Sequence, residues 1–176
     1  MARARGTGGR QMDSRGIRIE LARFRDAGMI SELSRDLIET GLGWSWRAER
    51  VLRQLRNRDA VVLKAVDDAR DDPAMAGFAI MRFGWEETHL DLLAVQPRYR
   101  RRGIATSLLR WLEESALTAG ISIVRLEVRE TNGPAIRFYE RMGYRRVLVA
   151  RGYYQGRESA MQMARDLWSE LPVGTI

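Results

Sequence analysis

Apolar residues recur along the chain with two periods, and the places where the period changes divide it into elements. Ile17, Ile19 and Leu21 alternate with Arg18, Glu20 and Ala22, which predicts a half-buried strand ending near Phe24. Ile30, Leu33, Leu37 and Ile38 then fall on one helical face, with Asp26 as the expected cap and Gly41 as the stop. A second helix is expected from a Ser45 cap to Arg58, with Val51, Leu52 and Leu55 inward. Ala60–Val66 and Met75–Phe83 are β-rich runs around the polar cluster Asp67–Pro73 and predict a hairpin. A strand from about Glu86 to Val95 leads into a helix over Gly103–Ala119 with Gly120 as its stop. The buried stripe of that helix is Ile104, Leu108, Trp111, Leu112 and Ala116. Ser122–Arg129 reads as a strand, and Asn132 opens a further helix with Pro134 in its first turn. Val147–Tyr153 and Glu158–Arg165 close the chain as a hairpin.

The order β, α, α, β, β, β, α, β, α, β, β predicts an α/β fold, a mixed and mostly antiparallel sheet flanked by about four helices. At 176 residues the chain has room for one domain, expected over 15–176. Residues 1–14, rich in Gly and Arg and without periodicity, are expected to form a disordered basic tail.

Composition narrows the chemistry. A hydrophobic share of 45% is that of a globular protein, and no apolar run approaches the roughly 20 residues needed to span a bilayer, so a soluble, cytoplasmic protein without a membrane partner is expected. With no cysteine there is no disulfide, thiolate metal site or cysteine nucleophile. The single histidine, His89, lacks convergent ligands and reads as a half-exposed strand residue, so no metal is expected. The net charge of +7 would suit nucleic acid if it were spread out, but it is not. Seven arginines within residues 1–25 and the four at 98, 100, 101 and 102 account for more than all of it, so no specific nucleic-acid partner is expected.

The second arginine cluster sits in Leu90–Leu109, an apolar strand, a basic glycine-containing turn and a helix start. The unpaired amides of a helix N-terminus and its dipole favour anions, and Gly103 and the small Ala105 let a diphosphate approach the backbone. A solvated basic loop is the plain alternative. The spacing Arg100-x-x-Gly103-x-Ala105, after a strand ending at Val95, resembles the acetyl-CoA pyrophosphate loop of the GCN5-related N-acetyltransferase (GNAT) family. Downstream, Asn132-x-x-Ala135-x-x-Phe138-Tyr139-x-x-x-Gly143-Tyr144 resembles the same family's second acetyl-CoA segment. The resemblance covers roughly Val61 to Met163. Within the family it is nearest to enzymes that acetylate the N-terminal amine of a ribosomal protein, through Leu126–Arg129, Phe138–Glu140 and Arg151–Tyr154.

The resemblance implies the acyl-CoA N-acyltransferase fold and acetyl-CoA as co-substrate, held by Leu93, Ala94, Val95, Arg100, Arg101, Arg102, Gly103, Ile104, Ala105, Thr106, Asn132, Ala135 and Tyr139. It also implies a parting of the two strands near Leu93–Val95 that frees main-chain groups. The implied acceptor is a protein or peptide amine in a ribosomal context, walled by Trp44 and Trp46 on one side and by Tyr153 and Tyr154 on the other. The chain lacks the proline those enzymes carry before the tryptophan, and both indoles could instead cap the core. The Tyr153–Tyr154 pair could equally be edge packing.

Two side chains are candidates for proton transfer. Arg125, Glu127 and Arg129 share one strand face, and Glu127 could take the proton of the acceptor's ammonium, freeing the amine to attack, or else pair with either arginine. Glu127 matches the general base of the ribosomal-protein enzymes, with Glu86 and Glu87 as backups. Tyr139 shares a helical face with Asn132, Ala135 and Phe138, and could protonate the departing thiolate or serve as a core tyrosine. A small-amine acetyltransferase and a non-catalytic acyl-CoA-binding module remain as alternatives.

Overall fold

The computed structural model describes residues 11–12, 16–69 and 74–170. Its strands are β1 (Gln11–Met12), β2 (Ile17–Leu21), β3 (Ala60–Asp67), β4 (Ala74–Phe83), β5 (Glu87–Val95), β6 (Ile123–Arg129), β7 (Arg145–Tyr154) and β8 (Glu158–Asp166). The helices are α1 (Ala27–Leu37), α2 (Ala48–Arg56), α3 (Ile104–Thr118) and α4 (Gly133–Arg141). One sheet holds all the strands in the order β1-β2-β3-β4-β5-β6-β8-β7. Every neighbouring pair is antiparallel except β5 and β6, which the α3 crossover joins in parallel.

The sheet is covered on both faces, which is why its central strands read as unbroken apolar runs. On one face Ala79, Met81 and Leu90 pack with Ile104, Leu108 and Leu112 of α3 and Ile136 and Tyr139 of α4. On the other, Phe78, Ile80, Leu92 and Ala94 pack with Ile30 of α1, Val51 of α2 and Trp46 between those helices. Leu90 and Leu92 would share a face on a regular strand, but they sit in opposite cores. The register explains this: Met81 faces Leu90 while Ile80 faces Leu92, so Asp91 is an extra residue, a bulge in β5.

The parallel pairing of β5 with β6 runs only from Glu87 opposite Ile123 to Leu90 opposite Leu126. Beyond it β5 stays with β4 as far as Val95, while β6 stays with β8 as far as Arg129. The strands therefore part, as the resemblance implied. Gly77 helps β5 leave: a Cβ there would come within 2.6 Å of the Ala94 carbonyl, so only glycine lets β4 draw that end of β5 so close.

Three expectations need correction. Gln11–Met12 is a short strand on β2 within the segment expected to be disordered, while residues 1–10 and 13–15 lie outside the described residues. Asp26 stands at the start of α1, but its carboxylate caps nothing there, because Lys64 Nζ (2.9 Å) and the Arg23 amide (2.7 Å) take it. Ser45 does not cap α2, whose N-cap is Arg47. The Ser45 and Trp46 amides instead donate to the buried Glu39 carboxylate, at 2.5 and 3.0 Å, and this folds the connector back onto the end of α1.

Candidate active site

The β5–α3 turn is set by backbone conformation. After a 3-10 turn at Pro97–Tyr99, Arg101 and Gly103 take left-handed φ values of 63° and 80°, the second as the N-cap of α3. No side chain caps the helix. Its first α-helical bond is Ser107 N–H to the Gly103 carbonyl at 3.0 Å, which leaves the amides of Ile104, Ala105 and Thr106 without a helix acceptor. Ile104 is buried and pins the turn to the core. Arg98 and Arg102 lie against the ring of buried Tyr99, 4.9 and 5.5 Å from its centroid, and Arg100 Nε reaches back to the Val95 carbonyl at 3.2 Å. Free amides, left-handed turns and surrounding guanidiniums suit a diphosphate. Asn132 follows the end of β6 and opens α4, its Oδ1 accepting from the Ala135 N–H (3.2 Å), with Ala135 packed on the core.

Where β5 and β6 begin to part, side chains from several strands converge. Leu126 and Val128 point into the α3/α4 core, so Glu127 points to the opposite face. Its Oε2 lies 2.5 Å from His89 Nε2, and His89 Nδ1 lies 2.9 Å from Asp91 Oδ1. Arg82 on β4 grips the same Asp91 with a fork, Nε at 2.5 Å and a terminal nitrogen at 2.7 Å. Hydrogen bonds to Asp91 and then Glu127 outweigh the burial of the imidazole and push the His89 pKa up to about 9, so at neutral pH it is a cation donating from both nitrogens. Asp91 is held below the usual carboxylate range: its burial opposes this, but the bonds from His89 and Arg82 prevail.

Glu127 is therefore not paired with its neighbours on β6. Arg125 pairs with Glu87, and Arg129 donates to the Ile38 and Thr40 carbonyls at 2.9 and 2.6 Å. Glu87, a backup base, sits opposite Ile123, four residues and roughly 13 Å along β6 from Glu127.

Tyr153 and Tyr154, at the end of β7, close over this cluster edge to face, 5.0 Å apart. Tyr153 is 48% exposed, and burial followed by the Glu127 carboxylate raises its pKa. Burial pushes Tyr154 up to about 12. The turn after them reaches the α1–α2 connector, where the Gln155 amide bonds the Gly43 backbone at 3.2 and 3.4 Å. The two expected walls thus touch. Trp44 lies at this connector between the guanidiniums of Arg35 and Arg47, 5.2 and 5.0 Å from its ring. Trp46 does not line the cleft: at 7% exposure it is a core residue under Arg50. Tyr139 belongs to the α3/α4 core, edge to face with Phe138 and Tyr144, and burial raises its pKa so that the hydroxyl stays protonated. Glu127 and Tyr139 thus lie on opposite faces of the sheet. A separate cavity of about 520 Å³ between α3, α4 and β8 contains none of these residues, and Glu113 and Glu140 in its wall are paired with Arg165 and Arg146.

The sequence profile of the acetyltransferase (GNAT) family matches residues 29–144, which include the parted strands and the turn. The chain belongs to this family. It is 40% identical over 96 residues to the ribosomal protein bS18-alanine N-acetyltransferase of Salmonella typhimurium, a match covering 53% of this chain and 65% of that enzyme. The chain thus spans just under two thirds of the length of that curated relative. Its fold superposes on the ribosomal-protein-S18-alanine N-acetyltransferase of Escherichia coli with a TM-score of 0.72 at 25% identity, covering 86% of this chain and 94% of the other. Arabidopsis thaliana NAA60 in complex with acetyl-CoA gives a TM-score of 0.75 at 22% identity, covering 86% and 98%.

Against this GNAT frame, sequence reasoning missed His89 as a partner of Glu127, and with it Asp91, Arg82 and Gln155. The alternation of β5 does put His89 and Asp91 on one face, but only the parallel register, with His89 opposite Arg125, brings it within reach of Glu127 two residues on.

Proposed function

We propose that this GNAT protein is a cytoplasmic N-acetyltransferase that moves an acetyl group from acetyl-CoA to the N-terminal α-amine of a protein or peptide. The observation that carries the reading is the Glu127 carboxylate at the parting of β5 and β6, with free backbone on one side of it and the Tyr153 wall on the other.

The β5–α3 turn suits acetyl-CoA: the amides of Ile104, Ala105 and Thr106 with Arg100, Arg101 and Arg102 hold the diphosphate, and the main chain of Leu93–Val95 on the side that β6 has left, with Asn132, takes the pantetheine arm. Bound there, acetyl-CoA supplies the acetyl group as a thioester. Main-chain amides near Val95 stabilise the charge that develops on its carbonyl oxygen. Glu127 removes the acceptor's ammonium proton, directly or through water, so that the amine has a lone pair. Tyr139, kept protonated by burial, gives its proton to the departing sulfur. The acceptor chain lies between the Trp44 connector and the Tyr153–Tyr154 turn. An α-amine, with a pKa of roughly 8, asks less of the base than a lysine near 10.4.

Peptides with free or blocked N-termini test the reading, with thiol release as the readout. Transfer to free N-termini is expected. Transfer only to blocked, lysine-containing peptides would overturn the α-amine assignment, and no transfer to any peptide would overturn the activity.

A further inference from the structure

Arg82, His89, Asp91 and Glu127 come from three adjacent strands, and Asp91 and Glu127 are the first residues beyond the last β5–β6 pair, Leu90 with Leu126. Asp91 is the inserted residue of the β5 bulge, and its side chain is 6% exposed. A carboxylate both of whose oxygens are held by one guanidinium fork cannot turn. Asp91 therefore presents Oδ1 to His89 Nδ1 in one orientation (2.9 Å), and this fixes the imidazole plane with Nε2 on Glu127 at 2.5 Å. Such an order, a fixed carboxylate, an imidazole and then the working group, is how a third residue orients a base. The other charged or titratable groups around the imidazole are Arg82 on β4, Glu127 on β6 and, beside Glu127, Tyr153 on β7. Arg125 and Arg129 are bound elsewhere.

We propose that Asp91, clamped by Arg82, is a positioning residue for acetyl transfer, acting through His89 to hold the Glu127 carboxylate at the parting of β5 and β6. This rests on the reading of Glu127 as the base.

The chain contains one histidine, so its imidazole resonance reports this cluster without ambiguity. The test titrates His89 by NMR in the full chain and measures peptide acetylation in parallel, for wild type, Asp91→Asn and Asp91→Glu. The wild-type midpoint is expected near 9. Asp91→Asn should move it toward 6.5 and lower kcat roughly tenfold or more with KM for acetyl-CoA unchanged, and Asp91→Glu should restore part of both. Arg82→Gln, at a partly exposed position, should shift both readouts in the same direction by less and covers the case in which Asp91→Asn does not fold. An unmoved midpoint, or a moved midpoint with kcat within twofold of wild type, overturns the proposal. Glu127→Gln separates the two claims: full activity in that variant removes the base reading, while the His89 midpoint still decides whether Asp91 governs the imidazole.

Discussion

The two sides of the site are built from different material. The β5–α3 turn is backbone: two left-handed residues, a helix start that no side chain among the described residues caps, and amides with no helix acceptor. The Glu127 side is side chains, drawn from β4, β5, β6 and β7 and joined by charge. A backbone site depends on local φ and is indifferent to most substitutions. A side-chain cluster depends on register, and removing one member disturbs the rest.

The largest effect should come from the cluster. Glu127→Gln keeps the shape and removes the base, and kcat is expected to fall about 10²- to 10⁴-fold while calorimetric acetyl-CoA affinity stays unchanged. A loss of affinity of similar size would mean that the two sides are not separable. Tyr139→Phe tests the opposite face of the sheet. A drop of roughly 10²-fold in kcat, with little change in unfolding midpoint, distinguishes an acid from a packed ring.

The donor side should break through its backbone. A Cβ at Gly103 meets nothing within 4 Å, so the cost of Gly103→Val is the φ of 80° and not a clash. The turn would relax, and the acetyl-CoA dissociation constant should rise about tenfold, since roughly 1.4 kcal/mol corresponds to that factor. Unchanged affinity would place the diphosphate elsewhere.

Smaller effects sharpen the contrast. His89 has a folded pKa of about 9, above its ordinary 6.5, so the cluster's contribution to stability is complete below pH 6.5 and is lost as pH rises through 9. Denaturant unfolding of wild type and His89→Gln at pH 6 and pH 9.5 should show the wild-type advantage shrinking at the higher pH, and an advantage that grows would reverse the assigned charge. Gln155→Ala removes two exposed bonds to Gly43 and should change stability by less than about 0.5 kcal/mol. Its effect should instead appear as a few-fold rise in peptide KM, because the two acceptor walls lose their link.

The β5–α3 turn was legible in the sequence because it is local. Its parts lie within a short run from Val95 to Ser107, where spacing along the chain is spacing in the structure, and Gly103 marks the left-handed turn directly. The helices and strands were legible too, because alternation and the 3.6-residue period record which face is buried. Capping was less so: Asp26 and Ser45 are good cap residues by type, but Lys64 takes the Asp26 carboxylate, and Glu39 takes the Ser45 amide and holds that residue in the connector, two positions before the N-cap of α2. The tryptophans show the same limit. Nothing in Trp44-Ser45-Trp46 says which indole enters the core, and the buried Glu39 that anchors the connector decides it.

By itself, then, the sequence determined the order of elements, the two apolar faces of the sheet, the glycine turn into α3 and the candidacy of Glu127 and Tyr139. Each follows from local geometry or from periodicity. Tertiary structure alone decided that Glu127 meets His89 and not Arg125 or Arg129. That choice depends on a four-residue parallel register between strands some 35 positions apart, which leaves no periodic trace in the chain.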